Sequence, residues 1–154
     1  MGKAAIRAAT AADAGDIRQL LRRHGLPLEG LDPHLESALV AADGAWVVGC
    51  AALEVYGEAA LLRSVAVESG RQGEGIGRAL TAGALAMAHS RGVSEVYLLT
   101  TTAEGFFPRL GFERVGRDQV PDRIRQSVEF VSACPAAAVV MRVAPGSARL
   151  EPPS

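Results

Sequence analysis

The feature that most constrains this chain is a glycine-rich segment between an apolar run and an alanine-rich one. Ala59–Val67 is almost continuously apolar, which is typical of a buried central strand. Gly73, Gly75 and Gly77 follow it, and the Ala- and Leu-rich run Ala79–Ser90 predicts a helix directly after them. Amides at a helix start are unpaired and carry the positive end of the dipole, and glycines let an anion approach them closely. The segment predicts a phosphate or pyrophosphate site, with a flexible turn as the alternative.

The spacing of these glycines excludes two common phosphate-binding motifs. A P-loop ends in Gly-Lys-Ser/Thr, which is not found here. A dinucleotide fingerprint has the spacing Gly-x-Gly-x-x-Gly, whereas this chain has Gly73-x-Gly75-x-Gly77. Arg71 and Arg78 flank the segment and add positive charge to it. A different kind of phosphate-bearing ligand is therefore expected.

The rest of the chain predicts a mixed α+β domain. Its 154 residues fit one domain, which we place at residues 1–144, followed by a proline-containing, disordered tail at 145–154. An amphipathic pattern around Ile17, Leu20 and Leu21 predicts a first helix. Strands, including a hairpin that turns at Asp43-Gly44, are predicted at Ile6–Ala9, Leu39–Ala42, Ala45–Val55, Val96–Leu99, Phe112–Val115 and Ala137–Val143. Helical segments are predicted at Ala103–Leu110 and Pro121–Phe130.

Charge and cysteine content exclude several classes of protein. Sixteen basic and seventeen acidic residues give a net charge of −1, which argues against a nucleic-acid partner. Cys50 and Cys134 are too few for a disulfide framework, and no Cys/His spacing suggests a metal site. No apolar run approaches the ~20 residues of a membrane helix. A cytoplasmic protein without a membrane partner or a metal is expected.

Two motifs resemble a known family. Gln72-Gly73-Glu74-Gly75-Ile76-Gly77, directly after a strand end, is similar to the Gln/Arg-x-x-Gly-x-Gly/Ala signature of the GNAT N-acetyltransferases. The segment from Ala103 to Phe112 resembles a second element of that family, and the resemblance spans roughly residues 4–143. Leu98–Phe107 and Gly57–Ser64 further resemble the arsenic-resistance-associated N-acetyltransferases, a pattern partly shared with the acetyltransferase domain of N-acetylglutamate synthases.

The resemblance implies the GNAT fold, a mixed and mostly antiparallel sheet that is flanked by helices and splays between its central strands. It implies acetyl-CoA as cosubstrate, with the glycine segment on the pyrophosphate and the preceding strand along the pantetheine arm. It also implies a small amine or amino-acid-like acceptor and a homodimer. The residues expected at acetyl-CoA are Val65, Ala66, Val67, Gln72, Gly73, Glu74, Gly75, Ile76, Gly77, Arg78, Thr100, Ala103, Phe106 and Phe107.

This chain differs from the family at the residue expected to protonate the leaving thiolate. Phe107 stands where relatives carry a tyrosine, and a phenyl ring has no proton to give. Tyr97, or a threonine of the run 100–102, is an alternative acid, and the threonines are equally well explained as strand residues. A thiol has a pKa near ~8.5, so protonation by water at pH 7 is favourable by about 2 kcal/mol. An acid side chain is therefore not essential.

Two charged residues are candidates for roles at the acceptor. Glu54, near a strand end, is the predicted general base, with a salt-bridged structural carboxylate as the alternative. Arg63 stands inside an apolar strand, where alternation places it on one face with Leu61 and Val65. A guanidinium there can bind a substrate carboxylate or form a buried ion pair. The histidines, His24, His34 and His89, are expected at the surface.

The first hypothesis is therefore acetyl transfer from acetyl-CoA to a small amino-acid-like amine, in the context of arsenic resistance. An L-glutamate N-acetyltransferase is the second. A regulatory protein that binds acetyl-CoA without efficient catalysis is the third, favoured by Phe107 at the tyrosine position.

Overall fold

The structure, a computed structural model, describes residues 4–100, 105–127 and 138–147. In these ranges seven strands form one sheet with the order β1-β2-β3-β4-β5-β7-β6. The strands are β1 Ala5–Ala8, β2 Ala38–Asp43, β3 Trp46–Tyr56, β4 Ala59–Val67, β5 Glu95–Thr100, β6 Glu113–Val115 and β7 Val139–Val143. The α-helices are α1 Ala14–Arg23, α2 Ile76–Ser90 and α3 Asp122–Arg125. The prediction of a mixed, mostly antiparallel sheet is confirmed.

The sheet opens between its central strands. β4 and β5 form the parallel pair, and their ladder runs from Ala59–Glu95 to Leu62–Leu98. β4 then continues to Val67 and β5 to Thr100, with no further pairing between them in the described residues. This gap is the predicted splay, and it leaves backbone groups of β4 available to a ligand.

Helices cover both faces of the sheet. Along α2, Leu80, Ala84 and Leu85 are buried in the same cluster as Leu53 and Leu62. On the other face, apolar positions of α1 pack with Val40, Cys50 and Ala52 because their spacing places them on one stripe of the helix. The residues of that stripe are Ile17, Leu20 and Leu21. The chain therefore buries β3 and β4 on both sides.

A β-bulge interrupts β4 beside the gap. Cys50 of β3 pairs with Ala66 and Ala52 pairs with Arg63, so three steps along β4 oppose two along β3. Ser64 lies in the extra stretch with φ 60°, a left-handed conformation that is uncommon for a residue with a Cβ. The expectation that Leu61, Arg63 and Val65 share one face is wrong, because the bulge reverses the alternation. Leu61 packs in the cluster of Tyr97, whereas Val65 packs on the α2 side.

Other elements differ from the predicted bounds. α2 starts at Ile76 and not at Ala79, since its first turn includes the last of the glycines. A 3-10 helix, Phe107–Leu110, forms within the segment predicted as Ala103–Leu110, whose start lies outside the described residues. Within the predicted tail, Pro145–Ser147 form a 3-10 turn, and residues 148–154 lie outside the description.

Candidate active site

The glycine segment forms a tight loop that opens α2. Gly73 and Gly75 have φ values of 89° and 84°, a region in which a Cβ is strained. Gly75 is the N-cap of α2, and the first helical hydrogen bond joins the Ala79 N–H to the Gly75 carbonyl at 3.0 Å. The amides before Ala79 therefore have no acceptor within the helix. They lie at the end of the helix where the sequence predicts an anion.

A cavity of about 990 Å³ extends from this loop into the gap between β4 and β5. The glycine loop lines one end, and Val65–Val67 and Leu98–Thr100 line the middle from the two strands. Arg63, Ser64 and the segment Gly25–Pro27 line the other end. Ligand pockets commonly measure roughly 300–1,000 Å³, so this cavity is large enough for an extended ligand and a small second molecule.

Most of the predicted acetyl-CoA residues line this cavity. They are Val65, Ala66, Val67, Gln72, Gly73, Gly75, Ile76, Gly77, Arg78, Thr100, Phe106 and Phe107. Glu74 is not among the lining residues, since its carboxylate is held by Arg71 beside the loop. Ala103 lies outside the described residues.

Arg71 does not act as a simple positive charge beside the loop. Its Nε donates to both carboxylate oxygens of Glu74 at 3.0 Å, and its Nη1 donates to Asp43 Oδ2 at 3.0 Å. Hydrogen bonds to Glu74 and then to Asp43 raise the pKa of the guanidinium above its usual value. Arg71 and Arg78 both line the cavity, but the charge of Arg71 is balanced by two carboxylates.

The residues considered as proton donors lie in different places. Phe107 is buried and packs edge-on against Phe106 and Phe112, with ring centroids 5.0 and 5.4 Å apart. Tyr97 is buried in the cluster of Leu61, and its hydroxyl donates to Glu95 Oε2 at 2.6 Å. The hydroxyl thus points back along β5, and the cavity lining does not include Tyr97. The structure brings Phe107 to the cavity and leaves Tyr97 outside it.

Glu54 and Arg63 form a buried ion pair at the end of the cavity away from the glycine loop. Their side chains are 1% and 0% exposed, and Arg63 Nη1 donates to Glu54 Oε2 at 2.9 Å. Arg63 also donates to Ser64 Oγ at 3.1 Å and to the Pro27 carbonyl at 3.3 Å. The Tyr56 hydroxyl donates to Glu54 Oε1 at 2.6 Å. Both oxygens of Glu54 thus have a partner, and the geometry favours the ion-pair interpretation of these two residues.

His34 completes this cluster from the 3-10 helix Asp32–Ser37. Its Nε2 lies 3.8 Å from Glu54 Oε1, and its ring packs edge-on against Tyr56 at 6.1 Å. Desolvation lowers the pKa of His34, while Glu54 raises it and Arg63 lowers it further. Desolvation and the bond to Glu54 raise the pKa of the Tyr56 hydroxyl. His34 is therefore a partly buried neighbour of the ion pair and not a surface residue.

Three further observations concern metal binding, membrane spans and the Cys50 thiol. Among the described residues, no group of three His, Cys, Asp or Glu side chains could hold a metal ion. No helix in the described ranges is long and apolar enough to cross a membrane. Burial raises the pKa of the Cys50 thiol to about 12, so it is a poor nucleophile, and Cys134 lies outside the described residues.

The part of the cavity over the glycine loop and along β4, here called the donor cavity, has a geometry that fits acetyl-CoA. A Cβ built on Gly73 or Gly75 would meet no atom within 4 Å, so the space over the loop is open to a phosphate. The first amides of α2, which have no acceptor within the helix, would hold the pyrophosphate, and the edge of β4 that β5 leaves uncovered beyond Leu62 offers hydrogen bonds to an amide-containing arm.

Comparison with known proteins assigns the family. A family model described as an acetyltransferase (GNAT) domain matches residues 34–114, just over half of the chain. The chain is 33% identical to an uncharacterized N-acetyltransferase of Chlorobaculum tepidum over 127 residues, 77% of this chain and 81% of that protein. The protein belongs to the GNAT N-acetyltransferases, which are acyltransferases that use acetyl-CoA.

Solved structures share its fold. N-acetylglutamate synthase of Neisseria gonorrhoeae, complexed with coenzyme A and N-acetyl-glutamate, has a TM-score of 0.80 at 23% identity. The match covers 94% of this chain but 35% of the synthase chain, so this protein spans about a third of the synthase. A Mycobacterium tuberculosis protein in complex with CoA and a second ligand has a TM-score of 0.77 at 26% identity, covering 91% of this chain and 98% of that one.

Sequence reasoning missed three residues of the site. Ser64 lies in the bulge of β4, but nothing in an apolar run with one Arg-Ser pair signals an extra residue. Asp43 was interpreted only as a turn residue, although it also binds Arg71. His34 approaches Glu54 from a segment far away in sequence, which periodicity cannot show.

Proposed function

We propose that this protein transfers the acetyl group of acetyl-CoA to the amine of a small amino-acid-like molecule. The observation that carries the proposal is the continuity of the cavity. One space joins the anion-binding loop to the region of Arg63, Ser64 and Gly25–Pro27. Donor and acceptor can therefore meet beside the bulge of β4. The synthase of N. gonorrhoeae, solved with N-acetyl-glutamate, supports an amino-acid-like acceptor.

Acetyl-CoA supplies the acetyl thioester, and this chain supplies binding, orientation and a dry site. The loop amides bind the pyrophosphate, and the backbone of Val65–Val67 lies along the pantetheine arm. At the bulge, the N–H near Val65 leaves the regular ladder and can polarise a carbonyl oxygen. Holding both reactants in one cavity replaces a bimolecular encounter by an intramolecular one.

Proton transfer relies on water more than on side chains. Among the described residues, the titratable side chains that line the cavity are arginines, which cannot accept a proton at neutral pH. Glu54, the base that the sequence predicts, is held in the ion pair with Arg63 and does not line the cavity, so we propose that water accepts the proton of the amine. Phe107 cannot protonate the departing thiolate, so water supplies that proton, which is favourable by about 2 kcal/mol at pH 7.

The acceptor is tested by measuring release of free CoA thiol over a panel of amines. The panel contains L-glutamate, an amino-acid-like arsenical and a phosphinate, each beside the amine that lacks its α-carboxylate. The sequence resemblance to the arsenic-resistance branch makes the arsenical the first choice. We expect turnover of at least one amino-acid-like compound, with kcat/KM lower by at least about tenfold for its matched amine, a difference of about 1.4 kcal/mol.

The background is acetyl-CoA hydrolysis without any amine. Preference for the arsenical would assign the enzyme to arsenic resistance, and preference for glutamate would assign it to glutamate acetylation. Tight acetyl-CoA binding with no turnover of any amine, or equal turnover with and without the carboxylate, would contradict the proposal.

A further inference from the structure

Arg71 connects the glycine loop to the β2–β3 hairpin. Asp43 is the last residue of β2, and Arg71 ends the 3-10 turn Ser69–Arg71 that follows β4. The Arg71 side chain is 9% exposed and reaches Asp43 on one side and Glu74 on the other, with all contacts at 3.0 Å. Because Glu74 lies between Gly73 and Gly75, one buried guanidinium bridges the hairpin and the middle of the loop.

The charges of this bridge oppose a direct role in binding phosphate. One guanidinium and two carboxylates carry a combined charge of −1 beside a site for an anion. Such a charge repels a pyrophosphate, although solvent and salt weaken the effect. Arg71 lines the cavity, but the two carboxylates outweigh its charge, so the net charge of the bridge does not favour binding of a pyrophosphate.

The conformation of the glycine loop is another means by which Arg71 can contribute to binding. Four residues, 72–75, separate Arg71 from the start of α2, and two of them are glycines with positive φ. Glycines lose more conformational freedom on ordering than other residues, and a ligand that orders them loses affinity. An anchor at Glu74 restrains the glycine on each side of it. The turn before the loop is also fixed, since the Glu68 N–H donates to the Val48 carbonyl at 2.8 Å.

We propose that Asp43, Arg71 and Glu74 are positioning residues for acetyl-CoA. Their bridge holds the glycine loop in its binding conformation before the ligand arrives, and none of the three side chains binds the pyrophosphate. The proposal concerns acetyl-CoA alone, so it does not depend on the identity of the acceptor.

The test is the affinity of Asp43→Asn for acetyl-CoA, measured by calorimetry on the full chain. We expect Kd to rise by roughly three- to tenfold, as for loss of a charge-assisted hydrogen bond. The KM for acetyl-CoA should rise in parallel, while kcat and the acceptor KM change by less than about twofold. Hydrogen exchange of the peptide over residues 68–80, measured without ligand, should become faster. Asp43→Glu, which keeps the carboxylate, should restore most of the affinity.

Electrostatic repulsion alone predicts the opposite change, a lower Kd for acetyl-CoA in Asp43→Asn. If charge dominated, removing a carboxylate would tighten acetyl-CoA binding, and Arg71 would become available to the phosphate. A Kd that falls, or that stays within about twofold of the wild type, would overturn the proposal. The same holds if hydrogen exchange of the loop is unchanged. Glu74→Gln breaks the exposed arm of the bridge and gives the same test if Asp43→Asn does not fold.

Glu113→Gln is the matched control. It removes a carboxylate from a pair with Arg142 at 2.9 Å, between β6 and β7, and neither residue lines the donor cavity. Acetyl-CoA affinity and exchange of the loop peptide should stay at the wild-type values. Equal weakening by Glu113→Gln and Asp43→Asn would show a general loss of stability and would also overturn the proposal.

Discussion

Variants of the buried ion pair of Glu54 and Arg63 can distinguish a structural role of Glu54 from a catalytic one. Removing one partner of a buried ion pair typically costs about 3–5 kcal/mol, because the other charge stays buried and unpaired. Glu54→Gln keeps an amide oxygen near Tyr56, and Arg63 keeps its bonds to Ser64 and Pro27. We therefore expect the lower end, a decrease of about 3 kcal/mol in the free energy of unfolding.

The assay is urea denaturation of Glu54→Gln, Arg63→Met and the double variant, which together form a double-mutant cycle. A coupling energy of about 2 kcal/mol or more is expected, since the double variant buries no unpaired charge. Asp32→Asn is the control. Its pair with Arg18 is shorter, at 2.6 Å, but is exposed to solvent, so the loss should stay below about 1 kcal/mol.

Activity measured on the same variants separates the two interpretations of Glu54. If Glu54 is a structural carboxylate, Glu54→Gln should lose much stability, while its kcat should change little under conditions where the variant is folded. If Glu54→Gln loses less than about 1 kcal/mol of stability while kcat falls by more than about a hundredfold, Glu54 is a base and the ion-pair argument is refuted.

Three further predictions concern stability. A Cβ on Gly49 would lie 2.9 Å from Leu80 Cδ1 and 3.1 Å from both the Ala66 carbonyl and Ile76 Cγ2, so Gly49→Ala should cost about 1–3 kcal/mol in urea unfolding. In Gly83→Ala the new Cβ would also lie 2.9 Å from a side-chain methyl, Leu39 Cδ1, but that methyl can rotate away. The better helix propensity of alanine should then stabilise the protein by up to about 1 kcal/mol. If both substitutions changed the free energy of unfolding in the same direction, both arguments would be contradicted. His34 lies beside Glu54, Arg63 and Tyr56, and burial lowers its pKa in the folded protein. The contribution of His34 to the free energy of unfolding is therefore fully present above the unfolded pKa of about 6.5. It is lost as pH falls through the lower folded pKa. His34→Gln should flatten the dependence of unfolding free energy on pH in that range, and an unchanged slope would show that other groups cause it.

The sequence predicted the parts of the fold that depend on local pattern. β4 was predicted at its observed bounds, Ala59–Val67, because nine nearly apolar residues between two turns allow few other structures. The glycine loop was placed correctly because positive φ values favour glycine, and two of its three glycines adopt them. The splay between β4 and β5 came from the family resemblance and not from periodicity.

Features that depend on tertiary contacts could not be predicted in this way. Strict alternation placed Val65 with Arg63, because a bulge leaves no mark on the pattern of apolar residues. Arg71 was interpreted as a ligand charge, since its partner Asp43 is 28 residues away in sequence. The approach of His34 to Glu54 depends in the same way on the fold bringing distant segments together.

The bulge at Ser64 has a consequence for how this strand can vary. Upstream of Ser64, β4 directs Arg63 toward Pro27, whereas downstream Ala66 packs in the cluster of α1, and Val65 and Val67 pack in the cluster of α2. Loss of one residue at this point would exchange the faces of the sheet on which the side chains of residues 65–67 lie. The number of residues in β4 is therefore constrained more tightly than their identity, so the strand tolerates substitution better than deletion.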